Sequence, residues 1–258
     1  MTVSQADYAK QVNMMRSWLQ GKDYHLALEA MEFAMSWHKG KRKDGVSPEF
    51  SHQMFIALYV LSISPLLLYP EETLAAVFLH DVCEDFPVTY DEIERRFGKR
   101  VRDAVELLTK KKDGIRIPDD VYYERMALNE IASIVKGVDR AHNIHSMHFA
   151  DWSVDKQQAY LDFVFEFVLP MLKKARKTFT RQRLAYENVK SVLLMQARPI
   201  QLLLDAKRKT PMVTEKMVEV AMEASCDFGY FTRNEGGVYQ RTSVSSDEAR
   251  AMLEAALV

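Results

Sequence analysis

Apolar residues recur at helical spacing along most of the chain. In the segment 23–38, Leu26, Ala30, Phe33 and Trp37 fall on one face, which is typical of an amphipathic helix. The same periodicity predicts further helices over residues 1–20, 54–68, 71–83, 121–135, 136–149, 154–178 and 181–206. We expect Pro170 to kink the helix predicted over 154–178.

Local signals add two helices and one loop to this series. Thr89 is followed three residues later by Glu92, a capping box that predicts the start of a helix ending at Gly98. A further helix is expected from Lys99 to about Lys111. The segment 39–45 (KGKRKDG) breaks the periodicity with charges and glycines, so we expect an exposed loop there.

The helix predicted over 71–83 has no polar face, because its middle reads LAAVFL. A helix that is apolar all round is normally buried on every side, so we expect this one at the centre of the core. Only 9 of the 258 residues are Gly and 8 are Pro. Together these features predict an all-α fold.

The pattern changes after Thr210. Helices are predicted over 213–225 and 246–257, and two short strands, 229–232 and 238–242, flank the turn sequence NEGG. The sequence therefore predicts a main helical domain over 1–205. A small C-terminal α/β-hairpin appendage of unknown role is predicted over 210–258.

Charge and cysteine content narrow the class of protein. Lys and Arg number 35 against 36 Asp and Glu, so we expect no nucleic-acid partner and no membrane partner. Cys83 and Cys226 form no CxxC pair, which argues against a disulfide framework and a zinc–thiolate site. The N-terminus lacks a signal-peptide pattern, and Pro65 interrupts the longest apolar run. We expect a cytoplasmic protein.

The first candidate for chemistry lies at the end of the apolar helix. His80 and Asp81 are followed one turn later by Glu84 and Asp85, so four ionisable groups share a helix end. Three carboxylates this close raise one another's pKa unless a cation lies among them. The pattern indicates a divalent metal site. The alternative is a solvated helix end carrying ordinary surface charges.

A second candidate lies on the helix predicted over 136–149. Four polar residues at spacing i, i+3, i+4 and i+7 share one face: Asp139, His142, Asn143 and Ser146. A polar stripe on a core-facing helix needs something polar to face; the alternative is a surface stripe of satisfied groups. His145 and His148 lie off this stripe and are interpreted as surface or packing residues.

A third candidate is His52, which follows the basic loop and precedes an apolar helix. By itself, a histidine in this place is more often a helix N-terminal residue than a ligand. Arg42 and Lys43 in the loop are either solvated charges or phosphate contacts. Next to a metal site, an Arg offers a bidentate fork to phosphate oxygens.

In this order the segments resemble the hydrolase domain of RelA/SpoT-type alarmone enzymes and the stand-alone small alarmone hydrolases. The resemblance is carried by HKGKRKD, His52, FLHDVCEDFPVTYDEIERRFGKR and VKGVDRAHNIHS, and it covers roughly residues 25–195. It implies an HD-domain helical bundle. Gln53 and Phe86 stand where the family commonly has Pro and Thr.

The resemblance also implies roles for individual residues. One divalent metal ion, usually manganese in this family, would be bound by His52, His80, Asp81 and Asp139. Glu84 and Asp85 would position and deprotonate the attacking water.

Substrate contacts follow from the same resemblance. Arg42 and Lys43 would contact phosphates, and Asn143 and Ser146 would lie against the nucleoside. Ser146 stands where the family usually has Thr.

The implied function is metal-dependent hydrolysis of (p)ppGpp, with pyrophosphate cut from the 3′ position. One alternative keeps the metal centre but acts on a dNTP, a nucleoside monophosphate or NADPH. Another is a non-catalytic nucleotide-binding regulatory module. No synthetase domain is expected, and the sequence leaves open whether the chain forms a homo-oligomer. The segment after Thr210 looks like a unit found in bacteriophage proteins, which implies a viral source.

Overall fold

The computed structural model describes residues 3–42, 45–112, 114–147, 152–209, 231–233 and 239–241. Its α-helices are α1 (Gln5–Gly21), α2 (His25–Trp37), α3 (Ser51–Ser62), α4 (Pro70–Leu79), α5 (Val82–Asp85), α6 (Tyr90–Leu108), α7 (Asp119–Met126), α8 (Ala132–Ser146), α9 (Val154–Phe163), α10 (Leu169–Thr178) and α11 (Arg183–Lys209). Short 3₁₀ helices cover Ser64–Leu66 and Thr180–Gln182. The all-α fold class predicted from the sequence is confirmed.

The chain forms two compact units, Met1–Leu204 and Asp205–Val258. Helices dominate the first unit. Its strands, among the residues described, form a two-residue antiparallel pair, β1 (Lys111–Lys112) with β2 (Ile115–Arg116). No helix of the described ranges has the length and the apolar content that a bilayer crossing requires.

The central element of the first unit is α4, as its apolar sequence predicts. Every residue from Thr73 to Leu79 is buried, and the helix packs against α2, α3, α6 and α8. Pro70 lies in its first turn, where a missing N–H costs no hydrogen bond, and Glu71 and Glu72 favour the positive end of the helix dipole. The position of α4 puts its C-terminal end, at His80, deep in the protein.

The capping box before α6 forms in part. The Oγ1 of Thr89 accepts a hydrogen bond from the backbone N–H of Glu92 at 3.2 Å. Gly98 has a φ of 81°, so it interrupts the helical backbone inside α6. A positive φ suits a residue without a Cβ, and the predicted break between two helices at Gly98 is confirmed.

The prediction of one continuous helix over 121–135 is wrong. The structure ends α7 at Met126 and begins α8 at Ala132. Between them the Oδ1 of Asn129 accepts hydrogen bonds from the backbone N–H groups of Ile131, at 3.0 Å, and Ala132, at 2.8 Å. An Asn side chain that binds free backbone N–H groups starts a new helix, and apolar periodicity does not report this competition.

The helix predicted over 154–178 is divided into three. A π-helical stretch, Val164–Val168, separates α9 from α10, and Pro170 lies in the first turn of α10. Pro170 lacks the N–H that would continue the α-helical ladder, and a π-turn accommodates this interruption. The predicted irregularity of the helix near Pro170 is confirmed. It is a π-helical stretch of five residues and not a single kink.

In the second unit, β3 (Phe231–Arg233) pairs antiparallel with β4 (Tyr239–Arg241), with Thr232 opposite Gln240. This confirms the hairpin predicted around NEGG. The helices predicted over 213–225 and 246–257 lie outside the described residues. The assignment of 1–205 as a phosphohydrolase domain and 210–258 as an appendage stays a prediction.

Candidate metal centre

The first histidine of the site lies at the C-terminal end of the central helix α4. His80 follows α4 directly and is 1% exposed. Its Nδ1 lies 2.7 Å from the backbone carbonyl oxygen of Val77. Because a carbonyl oxygen can only accept a hydrogen bond, Nδ1 carries the proton and donates the hydrogen bond to Val77. The other ring nitrogen, Nε2, therefore presents its lone pair to the site when the ring is neutral.

Asp81 lies beside this nitrogen, with its Oδ2 3.0 Å from Nε2 of His80. Burial by itself lowers the pKa of His80, but the Asp81 carboxylate raises it above its usual value. Burial by itself raises the pKa of Asp81, but His80 lowers it below its usual value. The Asp81 carboxylate thus favours a positive charge beside Nε2 of His80, which is what a bound metal ion would require.

Helix α3 brings His52 against this pair. His52 is 8% exposed, and its ring centroid lies 5.5 Å from that of His80. One ligand atom each from His52, His80 and Asp81 lie within 4.8 Å of one another. Two imidazole nitrogens and a carboxylate oxygen form a donor set that suits a divalent transition metal. The chemistry of the residues present therefore fits the ion that the sequence implies.

Asp139 on α8 reaches the site through His52. Its Oδ1 lies 3.2 Å from Nε2 of His52 and accepts a hydrogen bond from Nδ2 of Asn143 at 3.0 Å. Its Oδ2 accepts one from Nζ of Lys136 at 3.1 Å. Burial alone would raise the pKa of Asp139, but Lys136 and Arg140 hold it well below its usual value. Asp139 is therefore ionised, and its role as a fourth ligand stays a prediction.

The two predicted catalytic carboxylates lie on α5, one turn after Asp81. The Oε2 of Glu84 accepts a hydrogen bond from the backbone N–H of Lys110 at 2.8 Å. Burial, followed by the nearby carboxylates of Asp81 and Glu84, raises the pKa of Asp85 to about 6. A carboxylate with such a pKa can take up and release a proton near neutral pH. The catalytic roles themselves stay predictions.

The described residues of the basic loop make backbone contacts with the segment that follows it. The backbone N–H of Arg42 donates to the carbonyl of Ser47 at 2.9 Å, and Lys41 forms an isolated antiparallel bridge with Pro48. Arg42 is one of the charges that lower the pKa of His142, which places it on the α8 side of the site. Lys43 lies outside the described residues.

The structure gives Asn143 and Ser146 partners within α8. Asn143 holds Asp139, as described above, and the Oγ of Ser146 donates to the carbonyl of Asn143 at 3.3 Å. Contacts of these two residues with a nucleoside stay a prediction. Of the two histidines interpreted as surface or packing residues, His145 is exposed and His148 lies outside the described residues.

Sequence reasoning assigned no role to His142, although it lies on the polar stripe. Its Nδ1 is 2.9 Å from Nδ1 of His52, and its ring stacks on Phe55 at 5.4 Å between centroids. Burial, followed by His52 and Arg42, lowers the pKa of His142 to about 3, so the ring is neutral at pH 7. The position of His142 on the same helical face as Asp139 was the available signal.

Lys136 and Gln53 were also missed as site residues. Lys136 is 5% exposed and pairs with Asp139. Gln53 is 2% exposed, and its Nε2 lies 3.5 Å from Oδ2 of Asp81. Both residues carry a polar side chain in a helix of the core, close in sequence to a candidate ligand. This pattern was the available signal, because burying a charge or an amide is unfavourable without a partner.

Known proteins resemble part of this chain. Residues 30–118 match the family described as HD domain. This domain is homologous to proteins named as (p)ppGpp hydrolases. The bifunctional (p)ppGpp synthase/hydrolase SpoT of Escherichia coli K12 is 30% identical over 128 residues, covering 46% of this chain and 18% of that protein.

Two further relatives agree with this homology. The guanosine-3′,5′-bis(diphosphate) 3′-pyrophosphohydrolase of Aquifex aeolicus is 42% identical over 82 residues, covering 31% of this chain and 11% of that protein. The pyrophosphohydrolase MESH1 of Xenopus tropicalis is 29% identical over 153 residues, covering 57% of this chain and 84% of that protein. The chain thus spans less than a fifth of SpoT but most of MESH1.

A solved structure of a metazoan ortholog of SpoT is also similar. It shares 21% sequence identity with a TM-score of 0.49, and the match covers 64% of this chain and 93% of that one.

Proposed function

We propose that this protein is a metal-dependent phosphohydrolase that removes pyrophosphate from the 3′ position of (p)ppGpp. The observation that carries the proposal is the convergence of His52, His80 and Asp81, whose ligand atoms lie within 4.8 Å of one another although His52 lies on α3 and the other two residues follow α4. The names of the SpoT and MESH1 relatives support the choice of substrate.

We further propose that the metal is manganese, held by His52, His80, Asp81 and Asp139. The donors are imidazole nitrogens and carboxylate oxygens without a thiolate, a set compatible with Mn²⁺. The hydrogen bond from His80 to Val77 fixes the tautomer in which Nε2 is the ligand atom. When bound, the ion polarises a phosphate and acidifies a water molecule.

Residues on α5, in the basic loop and on α8 would position the water and the substrate. Asp85, whose pKa is raised to about 6, is ionised at neutral pH and would take the proton of the attacking water. Glu84, fixed by the backbone of Lys110, would position that water. Arg42, with Lys43, would bind phosphate oxygens through its charge, while Asn143 and Ser146 would lie against the nucleoside.

In the proposed reaction, the water oxygen attacks the phosphorus atom that is attached to the 3′ oxygen. The bond between that phosphorus and the 3′ oxygen breaks, and the 3′ oxygen leaves with a proton. The products are pyrophosphate with GDP from ppGpp, or pyrophosphate with GTP from pppGpp. The charge of Arg42 would stabilise the phosphate during this displacement.

The test is pyrophosphate release from ppGpp by the purified protein with Mn²⁺. We expect turnover by the unchanged protein and by His25→Ala, a control at a histidine whose side chain is 77% exposed. Asp81→Ala and His80→Ala should lose turnover at least a hundredfold. Normal turnover by Asp81→Ala would contradict the metal assignment.

A nucleotide panel decides between this substrate and the alternatives. Release of phosphate, pyrophosphate or triphosphate from a dNTP, a nucleoside monophosphate or NADPH, without activity on ppGpp, would replace the substrate but keep the metal centre. Tight nucleotide binding without turnover of any of them would support a regulatory module instead.

A further inference from the structure

Gln53 is a buried amide beside the metal triad. It is the third residue of α3, directly after His52, and is 2% exposed. Its Nε2 lies 3.5 Å from Oδ2 of Asp81. Its Oε1 is buried and has no hydrogen-bond partner among the described residues.

A buried amide oxygen without a partner is unfavourable, because the water that solvated it has been removed without replacement. The amide N–H is not well satisfied either, since 3.5 Å is long for an N–H···O hydrogen bond. Gln53 therefore has unused hydrogen-bonding atoms next to Asp81. An apolar side chain would fill the same space at a lower free-energy cost.

The position of the carboxamide fits an oxygen ligand, because a half-turn of the amide exchanges Oε1 and Nε2 and brings the oxygen next to Asp81. Two atoms that bind one divalent ion at about 2.1 Å each are about 3–3.5 Å apart. The separation between the Gln53 amide and Oδ2 of Asp81 matches that spacing.

A second buried side chain near Asp81 makes no hydrogen bond through its ring. His38 is 6% exposed, neither of its ring nitrogens has a hydrogen-bond partner among the described residues, and Oε2 of Glu49 lies 3.8 Å from its Nδ1. Asp81 is the charged group that acts on it most strongly. Two buried side chains with unused hydrogen-bonding atoms around one carboxylate support the view that a bound group completes this part of the site.

We propose that Gln53 is a further ligand of the metal centre and contributes its carboxamide oxygen beside His52, His80 and Asp81. The inference rests on the proposed function, because it requires that the protein bind a divalent ion. A neutral, hard oxygen donor favours Mn²⁺ or Mg²⁺ over ions that prefer sulfur ligands. Gln53 thereby also contributes to the choice of metal.

The experiment measures Mn²⁺ binding by calorimetry and Co²⁺ binding by visible absorption, whose intensity reports the coordination number. Gln53→Met keeps the volume but removes the oxygen, whereas Gln53→Glu keeps an oxygen donor. Gln20→Met, on the exposed surface of α1, is the matched control. We expect Gln53→Met to weaken Mn²⁺ binding at least tenfold and to change the Co²⁺ spectrum. Gln53→Glu and Gln20→Met should bind at least as tightly as the unchanged protein.

The melting temperature of the metal-free protein separates ligation from folding. Because Gln53→Met removes an unsatisfied polar group, it should melt no lower than the unchanged protein. If it does not fold, Gln53→Leu takes its place. Absence of metal binding by the unchanged protein would contradict the proposed function. Equal metal affinity and an equal Co²⁺ spectrum in Gln53→Met, or equal weakening in Gln53→Glu, would overturn the role of Gln53 alone.

Discussion

Lys136 and Asp139 form a buried ion pair one helical turn apart, with 3.1 Å between Nζ and Oδ2. Lys136 is 5% exposed and Asp139 is 4% exposed. The pair keeps the carboxylate ionised whether or not a metal is present, and it occupies Oδ2 so that Oδ1 faces His52. The ion pair at Oδ2 thus leaves the other carboxylate oxygen of Asp139, Oδ1, directed at the site.

We expect Lys136→Met to destabilise the metal-free protein by about 3–5 kcal/mol, because it leaves a buried carboxylate with a weaker partner. The remaining cation, Arg140, lies 3.7 Å from the same oxygen. Added Mn²⁺ should raise the melting temperature of the variant more than that of the unchanged protein, since the ion replaces the lost charge.

Thermal unfolding with and without Mn²⁺ measures both effects. Lys190→Met is the control, because Lys190 is 45% exposed and its ion pair with Glu187 is long, at 3.8 Å. It should cost less than about 1 kcal/mol. An equal metal-induced shift in Lys136→Met and in the control would contradict the coupling between the ion pair and the site.

His142 provides a pH prediction. An unfolded histidine titrates near 6.5, whereas the folded protein lowers the pKa of His142 to about 3. The stability that His142 contributes is therefore complete above pH 6.5 and is lost as the pH falls from there towards 3. His142→Phe, which keeps a ring against Phe55, should reduce the fall in melting temperature between pH 7.5 and pH 5.

Circular dichroism of the metal-free protein at the two pH values tests this, with His25→Phe as the exposed control. The same variant should bind Mn²⁺ about tenfold more weakly, because a ligating His52 loses the neighbour that accepts its other N–H. If His142→Phe shows the acid sensitivity of the unchanged protein, His142 is not a group that the fold keeps neutral.

The sequence predicted those features of the fold that depend on neighbouring residues. The apolar run within 71–83 identified the central helix α4, Thr89 marked the start of α6, and NEGG marked the hairpin. The break before α8 was missed because it depends on the side chain of Asn129, which binds two backbone N–H groups that periodicity does not register.

The sequence predicted which residues could form the candidate site, but it did not predict which of their side chains contact one another. Spacing on a helix places Asp139 and His142 on one face, yet it does not reveal that His142 contacts His52, ninety residues earlier in the chain. Nor does it reveal the amide of Gln53 beside Asp81, since this contact depends on how α3 packs near the end of α4. The roles of Glu84 and Asp85, the viral source and the cytoplasmic location stay predictions.

Asp85 should affect activity and stability in opposite directions. Its pKa of about 6 lies above the usual value of 3.8, so its ionisation costs stability above pH 6 and costs none below pH 3.8. Asp85→Asn should therefore raise the melting temperature of the metal-free protein at pH 7.5 by only about 1–2 °C, because the side chain is partly exposed and water weakens the repulsion. The gain should vanish as the pH approaches 4.

The same substitution should lower turnover of ppGpp by about 10²–10⁴-fold, because it removes the proposed general base. The rate of the unchanged protein with bound metal should rise with pH and level off below about pH 6, because the positive ion lowers the pKa of Asp85. Asp162→Asn, at an exposed residue of α9, is the control for both measurements. A variant that is stabilised and fully active would remove Asp85 from the mechanism.

Gly137 lies between the ion-pair residue Lys136 and Val138 on α8, where the helix passes close to its neighbours. A Cβ at this position would lie 2.8 Å from Cγ1 of Val189 and 3.0 Å from Cδ2 of Leu172. Alanine favours a helix over glycine by about 1 kcal/mol, but overpacking of a buried contact costs about 1–3 kcal/mol. We expect Gly137→Ala to lower the melting temperature by about 3–6 °C.

Gly21→Ala is the matched control, because a Cβ there meets no atom within 4 Å. It should leave the melting temperature unchanged or raise it slightly. Gly137→Ala should also weaken Mn²⁺ binding, since a displaced α8 moves Asp139 relative to His52 on α3, whereas Gly21→Ala should bind as the unchanged protein does. Calorimetry on both variants below their melting temperatures measures this, and equal affinities would mean that α8 adapts to the added methyl group without moving its carboxylate.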